Sequence, residues 1–587
     1  MMKRKSVSPS RERSAVRKDL KPGVSWGTMK SLSWRQWLYL PRLFSREERT
    51  RILVIGAVAL VALYILSGRI TRRVTILRPA VGGVLREGVI REPRFINPIF
   101  ASNDTDRDIT SLVFSKLIRY DQNGVPVMDL AEKVEVSPDG RGYTLHLRRG
   151  VTWHDGENFS ADDVVFTIKT IQDPEYKSPL RQNWQGVAVE KLDDWTMRLV
   201  LRQAYAPFFE NLSLGIIPEH LWRKIPREAA VLSDLNLKPI GTGPYRFNKL
   251  VRRSDGSIIS INLLYNKKYY LDGPFIKEVV FSTYSDEEEM VAAYRRNEID
   301  SLFLTSAASA AELKSLDTEL YRLNLSKVFA VFLNPGANSV LGRKPIRQAL
   351  QAAIDREALL EKAAESGGVV INSAIPPGTF GFNPAIEPPK YNPEESRKLL
   401  KNDGWKDSDG DGVLDRIEGR GRNRKTEKLE IRLATSDSPE LAKAAELIAE
   451  MWQAVGIKTE VKTLPISELE AAMIRPRAYE ALLFGEVFGH DPDPFAFWHT
   501  SQLKNPGLNI ALYSNRAVDS LLEDARNTGD EILRKSKYGE FQKLVANDIG
   551  AIFLYSPSDY YAVRRNVKGV ALGAVTIPDE RFSGINQ

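Results

Sequence analysis

A chain of 587 residues is too long for one small domain, and 43% hydrophobic with 27% charged residues is the balance of a globular protein, not a disordered one. The net charge of +8 belongs to the first 51 residues, which hold 14 Lys/Arg against four Asp/Glu; the other 536 carry 69 basic and 71 acidic residues, which removes any charge-based case for nucleic acid. With no cysteine, disulfides, thiolate metal sites, cysteine nucleophiles and attachment through a lipidated N-terminal cysteine are all excluded.

In chain order, residues 1–51 form a basic tail whose Trp34, Trp37, Tyr39 and Phe44, mixed with Arg35, Arg42 and Arg46, read as an interfacial segment at an inner leaflet. Ile52 to Leu66 is uniformly apolar, and with Ser67 and Gly68 reaches the short edge of a membrane span, so 52–68 is read as an uncleaved anchor. A cleaved signal sequence is the rival reading, opposed by the long basic segment before it and the lack of a small-x-small cleavage site; a buried core helix is the third. The basic excess predicts a cytoplasmic N-terminus and a single-pass chain with its remainder extracellular or periplasmic. Residues 69–83 read as a linker.

Beyond the linker, TLHLRRGVTWHDG alternates as paired strands, and Ser160 with Asp163 caps a helix over ADDVVFTIKTI. Asp255-Gly256 between two alternating runs predicts a hairpin. KEVVFSTYS is read as a strand, followed by a helix capped by Ser285 with Glu288 and a strand DSLFL. From residue 328, strands VFAVFLN, LEIRLAT, IKTEVKTLP and YEALLFGEV alternate with helices, one of them opened by Asn392 and Pro393. This alternation predicts an α/β lobe.

Candidate chemistry is sparse. No nucleophile elbow, zinc-protease helix, phosphate loop or dinucleotide fingerprint is present, and the five histidines show no metal-ligand spacing; His154-Asp155 reads as turn chemistry. Asp407, Asp409, Asp411, Asp415 and Glu418 fit the spacing of a calcium loop, but glycines and a basic run stand where its exit helix belongs, so a bound calcium and an Asp/Gly hairpin turn both remain open. After the apolar run Ala481 to Phe488, Asp491-Pro492 and Asp493-Pro494 hold two carboxylates in extended geometry, followed by Phe495, Phe497 and Trp498. This stretch reads either as a ligand pocket with an anionic anchor or as a surface turn.

Several segments in order resemble the family 5 extracellular solute-binding proteins of ABC importers, the oligopeptide- and dipeptide-binding type. They are LHLRRGVTWHDGENFSADDVVFTIK (145–169), PIGTGPYRF (239–247), RKPIRQALQAAIDREALL (343–360), IPPGTFGFNP (375–384), YNPEESRKLLKNDGWKDSDGDGV (391–413) and GEVFGHDPDPFAFWHTSQLKNPGLN (485–509). The resemblance implies an α/β fold, two-lobed and periplasmic-binding-protein-like (type II, with an extra subdomain); the single N-terminal transmembrane helix read from residues 52–68 is this chain's departure from the family. The same resemblance implies an N-terminal lobe over 84–327 with a subdomain inserted at about 120–190, a second lobe over 328–554, and a return to the first over 555–587. It further implies a monomeric, non-enzymatic receptor that passes peptides or similar amino solutes to ABC permease and ATPase subunits without a cofactor. Asp491, or Asp493 as its alternate, would hold the ligand ammonium, and Phe488, Trp498, Tyr245 and Asn266 would line the pocket. A membrane-tethered sensor and a peptide hydrolase on the same scaffold are the alternatives.

Overall fold

The computed structural model describes residues 44–74, 80–364, 367–418, 425–573 and 575–583; the interfacial reading of Trp34 to Arg42 lies outside them. Two units separate, Met1–Pro79 and Ala80–Gln587. The first holds a helix over Arg46–Val74. Ser45 and Glu48 open it reciprocally: the Ser45 N–H donates to Glu48 Oε2 and the Glu48 N–H to Ser45 Oγ. Within Arg46–Ser67 an 18-residue window reaches mean hydropathy 2.2, and among the described residues this is the one helix long and apolar enough to cross a membrane. The helix runs past the expected end at Gly68, because RITRRV contains neither glycine nor proline to stop it.

In the second unit, the first lobe is built on a seven-stranded mixed sheet. Its spatial order is Thr318–Leu323, Asp559–Arg564, Ser301–Leu304, Gly82–Ile90, Ile276–Tyr284, Ile258–Tyr265 and Tyr245–Arg252. The edge strand Tyr245–Arg252 and its neighbour Ile258–Tyr265 are joined at Asp255-Gly256, where Gly256 takes φ +92. A four-stranded antiparallel sheet over residues 131–200 adds a subdomain whose core is continuous with the lobe's. On this subdomain, Ser160 and Asp163 form a complete capping box for the helix Ala161–Gln172. The helix Glu287–Arg295 is capped by Asp286, one residue past the expected Ser285, which instead bonds Glu289.

The second lobe carries a six-stranded sheet in the order Gly368–Val370, Ala551–Pro557, Lys327–Leu333, Ala481–Val487, Glu430–Ser436 and Lys458–Leu464. Its last three strands pair in parallel and are connected by helices, the βαβ pattern that the sequence alternation predicts. Apolar cores cover both faces of this sheet. The chain crosses between lobes twice, from Thr318–Leu323 into Lys327–Leu333 and from Ala551–Pro557 into Asp559–Arg564. At the crossing, Ser558 Oγ donates to Asn324 Oδ1 at 2.9 Å, and Lys327 Nζ pairs with Asp559 at 2.8 Å.

The turn WHDG is structural, as its sequence suggests. His154 Nδ1 accepts the Gly241 N–H and its Nε2–H donates to the Gly243 carbonyl, while burial pushes the imidazole down to about 4, so it stays neutral. The glycines it holds are obligatory: a Cβ on Gly241 would lie 1.9 Å from the Val113 carbonyl oxygen.

Candidate functional site

The stretch that the sequence singles out begins as the buried strand Ala481–Val487, flanked on both sides within its sheet. Phe488 then bonds the crossing segment, its N–H donating to the Ser326 carbonyl at 2.9 Å. The chain turns at Gly489 into the His490–Pro494 loop and a short helix, Phe495–Trp498. Between this loop and the first lobe lies a cavity of about 1090 Å³, walled by Phe114, Tyr205, Phe208 and Glu210 on one side and Phe488 and Phe497 on the other. That is at the upper end of the roughly 300–1,000 Å³ of small-molecule pockets. A recess of about 100 Å³ adjoins it, sharing Lys116, Glu210, Ser213, Gly489 and Asp579.

The loop is fixed to the opposite lobe by several contacts. Glu210 accepts the N–H groups of His490 and Asp491 at 2.9 and 3.1 Å. The His490 ring stacks on Tyr120 with centroids 3.8 Å apart, while its nitrogens meet Glu580 at 2.5 Å and Thr576 Oγ1 at 3.0 Å. Tyr205 donates its hydroxyl to Asp493 at 3.0 Å, and the Ala206 N–H reaches the Arg526 carbonyl at 2.7 Å.

Both loop aspartates, the expected anchors of a ligand ammonium, line the cavity, and each is paired with an arginine of its own lobe. Arg534 meets Asp491 at 2.5 Å, opposing the burial that raises the Asp491 carboxyl above its ordinary range. Arg526 meets both oxygens of Asp493 at 3.0 and 2.9 Å and lies 3.7 Å over the Phe495 ring. The two arginines project from the helices Arg516–Asn527 and Glu531–Asp548 behind the loop, about 35 to 45 residues along the chain, where no local spacing reveals them.

Of the expected wall residues, Phe488 faces the cavity and three others do not. Trp498 is fully buried in the second lobe against Tyr513, Phe541 and Phe553, because its position on the short helix turns it inward. Tyr245 is buried with its hydroxyl on the Ile276 carbonyl, stitching the sheet. Asn266 closes the turn before the edge strand, donating to the Gly243 carbonyl and accepting from the Lys268 N–H.

The Asp-rich loop lies in the second lobe. Asp407 accepts the N–H groups of Gly410 and Gly412, and Asp415 accepts the Ser408 N–H and its hydroxyl O–H. Lys428 places its ammonium between Asp409 and Asp411. Oxygens of Asp407, Asp409 and Asp415 lie within 4.8 Å of one another, but Asp415–Glu418 is a β-strand pairing with Lys425–Lys428, so Glu418 stands on a ladder opposite Lys425 where a calcium loop would enter its exit helix.

A family profile described as "Bacterial extracellular solute-binding proteins, family 5 Middle" matches residues 125–508. The chain is similar to the "Oligopeptide-binding protein AppA" of Bacillus subtilis (strain 168), with 28% identity over 502 residues covering 84% of this chain and 89% of the relative. It is similar to the "Dipeptide-binding protein" of Escherichia coli (strain K12), with 26% identity over 504 residues covering 81% and 90%. In three dimensions it resembles the structure of AppA from Bacillus subtilis in complex with a nonapeptide, at TM-score 0.69 and 26% identity, covering 87% of this chain and 99% of that one.

Proposed function

We propose that this chain, which belongs to the bacterial extracellular solute-binding proteins of family 5, is a membrane-tethered receptor that encloses peptides between its lobes and hands them to an ABC permease. Its binding domain works outside the cytoplasm, as the family does. The observation that carries the peptide reading is the cavity of about 1090 Å³ between lobes joined by two crossings. That volume, with aromatic side chains in its walls, suits a ligand held largely through its main chain. The relatives named for oligopeptides and dipeptides support the same class. The helix Arg46–Val74 supports tethering, with the chain acting as a monomer beside its permease.

Lobe closure would bury the ligand as the two crossing segments bend, the motion through which a receptor presents a liganded form to its partner. Incubating the detergent-solubilised chain with a peptide mixture and weighing what is retained tests this reading. Intact bound peptides are expected; shorter products accumulating with time would favour the hydrolase, and no retained mass would remove the peptide.

A further inference from the structure

Six carboxylates reach the walls of the two adjoining cavities: Asp129, Glu210, Asp491, Asp493, Asp579 and Glu580. Four have a cationic or histidine partner. Asp491 meets Arg534, Asp493 meets Arg526, Asp579 meets Lys116 at 3.5 Å, and Glu580 meets His490. Asp129 lines only the small recess and is occupied by the Tyr270 hydroxyl and the Lys116 N–H. Glu210 differs. It lines both cavities, is largely shielded from water, and has no ion pair among the described residues. The His490 ring has both nitrogens engaged with Glu580 and Thr576.

We infer that Glu210, not either aspartate of the Pro-rich loop, is the counter-charge for a ligand's ammonium. The assignment rests on the peptide reading above and names what that site recognises. Glu210 spends one lone pair of each oxygen on the His490 and Asp491 N–H groups. An ionised carboxylate offers about four acceptor positions, so two remain for a cation. Burial without a cation pushes its carboxyl up to about 7, the expected cost of holding a charge that lacks a partner. A bound ammonium would supply that partner and keep the group ionised.

The same geometry couples the ligand to closure. Glu210 sits on the first lobe, in the short helix Phe208–Asn211, and its two hydrogen bonds reach the loop of the second. The approach requires glycine at 489, where a Cβ would stand 1.9 Å from Glu210 Oε1. A cation that fixes Glu210 in its charged form strengthens both N–H bonds across the cleft, since hydrogen bonds to ionised acceptors are the stronger ones.

The test uses the full chain in detergent, a peptic digest of one defined protein, and the same digest after acetylation of its amines. Wild-type chain is expected to capture the unmodified peptides in roughly 10- to 100-fold preference, the factor carried by a hydrogen bond to a charged group. Glu210→Gln removes the charge and also sets an amide N–H against one of the two loop N–H groups, so both digests are expected to bind more weakly, the unmodified one by the larger factor, with the preference between them erased. Equal capture of both digests by wild type overturns the assignment without any variant. Equal loss of both in Glu210→Gln overturns it as well, leaving Glu210 a latch between lobes. Wild type that binds neither digest overturns the peptide reading and this assignment with it.

Discussion

Single residues in this site exchange the roles that their neighbours in sequence suggest. Asp491 and Asp493 look available because each is held in a proline-stiffened loop, but arginines from two later helices pair with them. Arg534 is almost entirely buried, so removing its carboxylate leaves a guanidinium with its charge uncompensated. Asp491→Asn is therefore expected to lower stability by about 3 kcal/mol, read from the denaturation midpoint, with the double change Asp491→Asn and Arg534→Met recovering most of it. Unchanged stability together with lost peptide affinity would return Asp491 to the role of ligand anchor. Phe488, by contrast, faces the cavity from the end of a buried strand, as an apolar residue beside a cleft can without any partner at all.

At the scale of elements, the loop over Asp407–Glu418 shows how a motif's spacing can be met while its architecture is not. The carboxylates turn the backbone on themselves, and Lys428 from the facing strand neutralises two of them. A strand in place of the exit helix carries Glu418 into a ladder. Calcium titrated into the full chain is expected to give no binding heat up to millimolar concentration, and a saturable heat that vanishes in Asp407→Asn would establish a metal site there. The capping signals fare differently. Ser160 with Asp163, and Asn392 before Pro393, sit where the sequence puts them, because a cap is settled within one turn of helix.

Across the whole molecule, the C-terminal segment ties the first lobe together. Arg581 is buried between Glu87, on the first strand of the lobe, and Asp108, with contacts at 2.9 and 2.5 Å; the Tyr561 hydroxyl also bonds Glu87. The group thus joins residues from both ends of the unit Ala80–Gln587, so the lobe is complete only when the chain has returned from the other. Arg581→Ala leaves two carboxylates buried without a cation and is expected to cost about 3–5 kcal/mol, seen as a lower thermal midpoint with peptide affinity of the folded fraction retained. A midpoint that does not move would show that the cluster carries no stability.

The sequence by itself determined what depends on near neighbours and on period: an apolar helix near the N-terminus, helix caps, the Asp255-Gly256 hairpin, the strand–helix alternation of the second lobe, and a set of ordered segments specific enough to identify the family. These are legible because propensity, turn chemistry and burial pattern act within a few residues. The tertiary structure alone decided which charges are free. Arg526 and Arg534 reach the loop from helices further along the chain, Glu210 approaches from the other lobe some 280 residues away, and Trp498 turns into a core that residues 513–553 complete. An ion pair forms wherever folding brings opposite charges out of water together, and nothing in local spacing encodes that meeting.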